Sequence, residues 1–235
     1  PAPDSMPIPD PLLWLASAAA VTKTIRLATG ILILPQRHPL YVAKEVATLD
    51  VLSGGRAILG IGVGWLEEEF QALGIPFEDR GSRTAETVRA MRSLWKDEPE
   101  AFEGKFFRWP PLQSHPKPIQ KPYPPFVIGG SGEQLTLRVV AQYADVWNFS
   151  GGSVENFTHK IGVLREHCAA VGRDMAQIEL SVQVLVNYDD LDATVQAVQS
   201  YVDAGATHLI LNLRYPYPQG IVARLAEEVV PRIKG

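Results

Sequence analysis

Two glycine-rich stretches and one histidine have the residue types and spacing for chemistry. The first stretch, GGRAILGIGVGW (54–65), puts five glycines into twelve positions around an apolar run. Glycines so close together let a ligand approach the backbone, as in a dinucleotide-binding turn. The strict G-x-G-x-x-G order fails here. Gly60 and Gly62 fit its first two places, Trp65 stands in the third, and the last glycine falls at Gly64. No acidic residue ends a second strand about twenty positions on, where a ribose would need it. The second stretch, VIGGSGEQL (127–135), is a strand running into Gly129, Gly130, Ser131 and Gly132 before a helix. Backbone N–H groups of Gly130, Ser131 and Gly132 at a helix N-terminus would suit a phosphate, because the positive end of the helix dipole favours an anion. The alternative is that the glycines simply allow a tight βα turn. The neighbouring loop NFSGGS (148–153) is of the same kind.

His38 follows Gln36 and Arg37 just past a strand's carboxyl end. It is the histidine placed for catalysis, and it is placed equally well to cap the next helix. His159 and His167 share one helix and read as surface residues, while His208 opens a strand and reads as structural. No H-x₃-H pair with a third ligand occurs, so no metal site is expected. GGSGE carries Glu133 where a nucleophile elbow wants glycine. The carboxylates of WLEEEF (65–70) fall in a first helical turn and complement its dipole. A cofactor that carries the chemistry itself is the reading left.

These residues sit on a repeating pattern. An irregular proline-rich loop over residues 1–11 ends at Asp10–Pro11, a cap followed by proline at the first helical position. Strands are expected over 25–34, 56–63, 125–130, 145–151, 178–186 and 207–213. Helices are expected over 12–22, 39–53, 65–73, 83–98, 132–144, 154–172, 191–205 and 220–233. A proline-rich excursion over 98–125 carries a possible hairpin at FEGKFFRW. Six β-then-α units with apolar strands imply a parallel sheet covered by helices. Their polar, glycine-bearing loops gather at the strands' carboxyl ends, where such folds keep their chemistry.

The 235 residues are 46% hydrophobic, enough for one full core. A net charge of -4 argues against a nucleic-acid partner. No apolar run reaches the roughly 18 residues of a membrane span. One cysteine, Cys168, excludes an internal disulfide framework and fits a cytoplasmic location.

ATLDVLSGGRAILGIGVGW and PPFVIGGSGEQLTLRVVAQYADVWN resemble signatures of the luciferase-like monooxygenase superfamily, in its F420-dependent oxidoreductase branch. The resemblance runs from about residue 10 almost to the end and takes in the 98–125 insertion. It implies a single (β/α)₈ TIM barrel domain over 1–235 that transfers a hydride between F420, bound at its carboxyl face, and a small organic substrate. The alternatives are an FMN-dependent monooxygenase or a non-catalytic cofactor-binding barrel. Family barrels begin with two further βα units, so the strands here correspond to the third to eighth. By ordinary unit lengths, about 50–60 residues are absent.

The resemblance further implies a cis peptide at Gly30–Ile31 and a ring site at Gly30, Ile31, Gly62 and Gly64, whose glycines let the backbone pass close to the cofactor. The phosphate would lie at Gly129–Gly132, with Trp65 and Asn148 lining the substrate side. Arg37 and Arg214, just past strand ends, are candidates for a substrate anion or an acidic cofactor tail. The partners expected are a small organic substrate and a second copy of the chain in a homodimer.

Overall fold

The computed structural model describes residues 8–234. Residues 1–7 of the expected opening loop lie outside the described residues. The chain divides into two compact units between Val127 and Ile128.

In the first unit, Asp10 caps α1 (Pro11–Val21) by accepting from the Leu12 and Leu13 N–H groups at 3.0 and 3.1 Å. The expected strand over 25–34 forms as two short pieces, β1 (Leu27–Ala28) and β2 (Leu32–Ile33). Both run parallel to β3 (Ala57–Gly62). Between them, Thr29 leaves the ladder and its hydroxyl donates to the Gly60 carbonyl at 2.6 Å. Helix α2 (Pro39–Ser53) has the expected bounds, because both ends carry local signals. Pro39 follows the His38 cap, and Gly54 ends the helix in the left-handed region at φ 69°.

After β3 come α3 (Glu67–Ala72) and α4 (Arg80–Trp95), the latter beginning and ending three residues before its expected bounds. Val42, Val46, Leu59, Ile61, Met91 and Leu94 form the unit's core. The Trp95 indole donates to the Ala43 carbonyl at 3.0 Å and ties α4 to α2.

The excursion is anchored rather than loose. Its hairpin forms from β4 (Phe102–Glu103) and β5 (Arg108–Trp109), paired antiparallel. The Glu86 carboxylate, only 3% exposed on α4, accepts the N–H groups of Lys105, Phe106 and Phe107, each at 2.8 Å. A Cβ on Gly104 would collide with that carboxylate. Buried Asp50 of α2 holds the next turn by accepting from the Gln120 backbone at 2.9 Å and its side-chain amide at 2.7 Å.

Strand β6 (Phe126–Gly129) ends just inside the second unit. There follow α5 (Thr136–Tyr143), β7 (Val146–Phe149), α6 (Val154–Ala170), β8 (Glu179–Leu185), α7 (Leu191–Asp203) and β9 (His208–Asn212). The expected last helix forms as α8 (Ile221–Arg224), continued by a π turn over Leu225–Val229 and a 3₁₀ turn over Val230–Arg232. Strands β7, β8 and β9 are parallel, with Asn148 opposite Ser181 and Ser181 opposite His208.

Side chains alternate across the pleat. Trp147 and Phe149 face the helices, where the Trp147 and Phe157 rings stack at 5.6 Å. The other face carries a polar row. The Asn148 amide donates to Ser181 Oγ and accepts from the Gln183 amide, both at 2.9 Å, and His208 Nδ1 pairs with Ser181 Oγ at 2.8 Å. Among the described residues, strand β9 pairs with β8 alone.

Candidate functional site

Both units carry candidate residues at the carboxyl ends of their strands. In the first unit the Gly30–Ile31 peptide is cis, as expected. Ile31 is 37% exposed.

The glycines of β3 require a correction. They were expected to clear space for a cofactor, but protein atoms fill the space their missing side chains leave. A Cβ on Gly60 would run into the Thr29 carbonyl. One on Gly62 would lie 2.6 Å from Ile31 Cδ1, and one on Gly64 would lie 2.7 Å from the buried Phe70 ring. Gly64 also has φ +81°, a conformation that side-chain-bearing residues rarely adopt. Trp65, next in the chain, is 72% exposed.

His38 is the N-cap of α2, its Nδ1 accepting from the Leu40 N–H at 3.3 Å. Its ring meets Phe107 edge-on at 5.2 Å. Burial lowers its pKa below the ordinary imidazole value, and the Arg83 charge lowers it further. Arg37 is committed to Asp10 through a 2.6 Å ion pair, so it is not the free cation expected at this end.

In the second unit Gly130 adopts φ +115°. Its N–H donates to the Asn148 carbonyl at 3.1 Å and its carbonyl accepts from the Trp147 indole at 2.8 Å. The Gly130 N–H is therefore unavailable to a phosphate, which corrects one of the three expected donors. The N–H groups of Ser131 and Gly132 and the Ser131 hydroxyl have no partner among the described residues. The helix begins at Thr136 rather than Gly132, because residues 133–135 form a turn and the Gly132 carbonyl accepts from Leu137.

Helix α6 holds that turn in place. His159 and Lys160 grip the Glu133 carboxylate at 2.9 and 2.5 Å, and His167 Nε2 meets its carbonyl at 2.8 Å. Lys160 first, then His159, keep the Glu133 carboxyl below the usual carboxylate range. His159 and His167 are thus loop anchors rather than plain surface residues. The Asn148 side chain is 2% exposed and satisfied within the sheet row, so it reaches no substrate. In NFSGGS, Ser153 is spent capping α6. Arg214 is exposed and its side chain has no partner among the described residues. No helix among the described residues is long and apolar enough to cross a membrane.

Sequence reading missed Arg83 and Glu86. Both lie on a helix that reads as ordinary, and their partners stand about twenty or more residues away in the chain.

A family model described as luciferase-like monooxygenase matches residues 2–228. An uncharacterized protein of Mycobacterium tuberculosis is 36% identical over 70% of this chain, and the chain spans only 58% of that relative's length. The FMNH(2)-dependent dimethylsulfone monooxygenase of Pseudomonas putida is 31% identical over 80% of this chain and 51% of its own. The F420-dependent glucose-6-phosphate dehydrogenase of Kineococcus radiotolerans is 27% identical, over 96% of this chain and 83% of its own. Among solved structures, an F420-dependent secondary alcohol dehydrogenase superposes with a TM-score of 0.86 at 19% identity, covering 99% of this chain and 86% of that one. That likeness gives the fold, an α/β barrel of the expected type. With a family model spanning nearly its whole length, this chain belongs to the luciferase-like monooxygenase family.

Proposed function

We propose that this chain is the cofactor-binding part of an F420-dependent oxidoreductase acting on a small organic substrate. The observation that carries the reading is the donor set at Ser131–Gly132. Two backbone N–H groups and a hydroxyl stand without a partner among the described residues, after a glycine in a conformation other residues rarely adopt, and such a donor set suits an anion. The donor set fits the phosphate of F420. When bound, F420 supplies two-electron hydride transfer, with carbon in place of the flavin N5.

This chain's own residues have five tasks. Ser131 and Gly132 hold the phosphate, and Gly129 and Gly130 shape the turn through the Asn148 carbonyl and Trp147 indole. Gly30 and Ile31 offer the ring a wall, Ile31 being packed against Gly62 and the following Gly64 against Phe70. Trp65 excludes water from the substrate side. His38, whose Nδ1 is fixed by the cap, keeps Nε2 as the available proton carrier.

The partner in this reading is a second copy of the chain. Helix α1 is apolar on every side, as a covered helix is, yet Leu13, Trp14 and Val21 are largely exposed. Beside it, Lys44 and Glu45 of α2 line the same groove and offer a two-fold partner both signs of charge. Sedimentation velocity reads the homodimer directly.

A second reading, an FMN-dependent monooxygenase, is favoured by the 31% identity to the dimethylsulfone enzyme. Titration of the purified chain with each cofactor, followed by fluorescence quenching, separates the two. Saturable F420 binding, weakened at least about tenfold in Gly130→Asp by repulsion of the phosphate, is expected. Tight FMN binding without F420 binding transfers the assignment to the monooxygenase. Binding of neither overturns the cofactor reading.

A further inference from the structure

Arg37 is spent on Asp10, but Arg83 has no anion. Arg83 stands in the first turn of α4 with its Nε buried and without a hydrogen-bond partner. Among the described residues no carboxylate pairs with its guanidinium. The acidic residues one helical turn to either side, Asp79 and Glu86, are committed elsewhere. Asp79 pairs with Lys105 at 2.7 Å, and Glu86 is filled by three backbone N–H groups of the hairpin. The guanidinium lies instead over two rings, 5.1 Å from the Phe106 centroid and 5.0 Å from that of Phe107. Rings supply part of what a cation loses on leaving water, but none of what a full counter-charge returns.

Phe107 brings a second donor to the same place. It is 6% exposed, its N–H is locked on Glu86, and His38 meets its ring edge-on at 5.2 Å. Because His38 Nδ1 accepts the Leu40 N–H, the neutral ring carries its proton on Nε2. Nε2–H is then a donor, and the lowered His38 pKa reflects the Arg83 charge as well as burial. Arg83 and His38 are thus two donors at the Phe107 ring, and among the described residues neither the Arg83 guanidinium nor His38 Nε2 has an acceptor. Tyr41 and Phe106 give the pair apolar walls, the Tyr41 ring lying 6.1 Å from His38 and 72% exposed.

We propose that Arg83 and His38 form a subsite for the oxyanion head group, a carboxylate or its like, of an organic substrate with an apolar body. The proposal rests on the reading above only in taking the strands' carboxyl ends as the substrate side. Glu86 is a positioning residue in it, holding Phe106 and Phe107 against the guanidinium.

The test uses the cofactor-free chain and the carbon-bound ring protons of His38, assigned by their loss in His38→Gln and followed by NMR at pH 8. Benzoate is the probe and benzamide its neutral match. Benzoate is expected to move the His38 signal saturably while benzamide leaves it in place. Arg83→Met, which keeps the stem over the rings, should weaken benzoate at least about tenfold, and Arg83→Lys less. Arg83→Gln serves the same purpose if the Met variant fails to fold by circular dichroism.

Equal response to benzoate and benzamide overturns the subsite, and so does undiminished benzoate binding in a folded Arg83 variant. Gly130→Asp separates the two proposals. It should lower cofactor affinity and leave benzoate binding unchanged, so loss of the benzoate response with cofactor binding intact rejects the subsite alone.

Discussion

Two glycine-rich stretches look alike in the sequence and differ in what surrounds them. At Gly60, Gly62 and Gly64 the protein itself occupies the space of the missing side chains: the Thr29 carbonyl, the Ile31 side chain and the Phe70 ring. At Gly130 and Gly132 the nearest atoms to an added Cβ belong to the Thr136 side chain, each at 3.2 Å, and free donors remain between them. At Gly60 and Gly62 glycine is a packing requirement, and at Gly130 it is a conformational one. A glycine run therefore does not report a ligand. What reports one is a donor left without a partner, and the difference is invisible until the chain folds.

The comparison predicts that changes around the first stretch cost stability, whereas changes in the second cost ligand affinity. The largest effect is expected at the buried carboxylate that anchors the first unit's hairpin. Glu86→Ala leaves three backbone N–H groups without an acceptor and should cost about 3–5 kcal/mol in urea denaturation. A loss below about 1 kcal/mol would show that the hairpin does not depend on it.

The next effect separates the two stretches directly. Gly60→Ala forces a Cβ into the Thr29 carbonyl, which is backbone and cannot rotate away, at a cost of about 2–3 kcal/mol. Gly132→Ala has only a side chain to displace and should cost less than about 1 kcal/mol while weakening cofactor binding. Equal stability losses at the two positions would break the distinction.

The smallest effect is a pH dependence in the first unit. The folded chain holds the His38 proton less tightly than the unfolded chain, whose imidazole has the ordinary pKa of 6.5. Above that value neither state carries the proton and His38 contributes nothing to the slope. As pH falls below it, the unfolded chain binds the proton first and stability declines until pH passes the folded pKa. A shallow loss below pH 6.5 is expected in the wild type, and His38→Gln should reduce it. An identical slope in the variant would place the lowered His38 pKa in doubt.

Where the signals were local, the elements were legible. Helix α2 has its expected bounds because a proline opens it and a left-handed glycine closes it, all within its own residues. The FEGKFFRW hairpin and the six strand positions follow from short apolar runs between turn residues. Helix α5 was misread at its start, since GEQL looks like a helix opening while Glu133 is drawn aside by His159, Lys160 and His167, 26 to 34 residues away. The strand over 25–34 was misread as continuous, because its interruption at Thr29 is matched to Gly60, 31 residues on.

The candidate site divides along the same line. The residue types at the strands' carboxyl ends, the family and the cis peptide at Gly30 were all accessible from the chain alone. Which cation is free was not. Arg37 and Arg83 are both ordinary arginines in sequence. Only the folded unit brings Asp10 to the first and leaves the second over Phe106 and Phe107.

By itself the sequence determined the order and kind of the elements, the end of the strands that carries the polar loops, and the family. These depend on periodicity, caps and motifs, which are properties of neighbouring residues. The tertiary structure alone decided which glycines are packed, which N–H groups are spent and which charges are paired. Those depend on contacts between distant segments, and desolvation makes each of them a matter of whether a partner arrived.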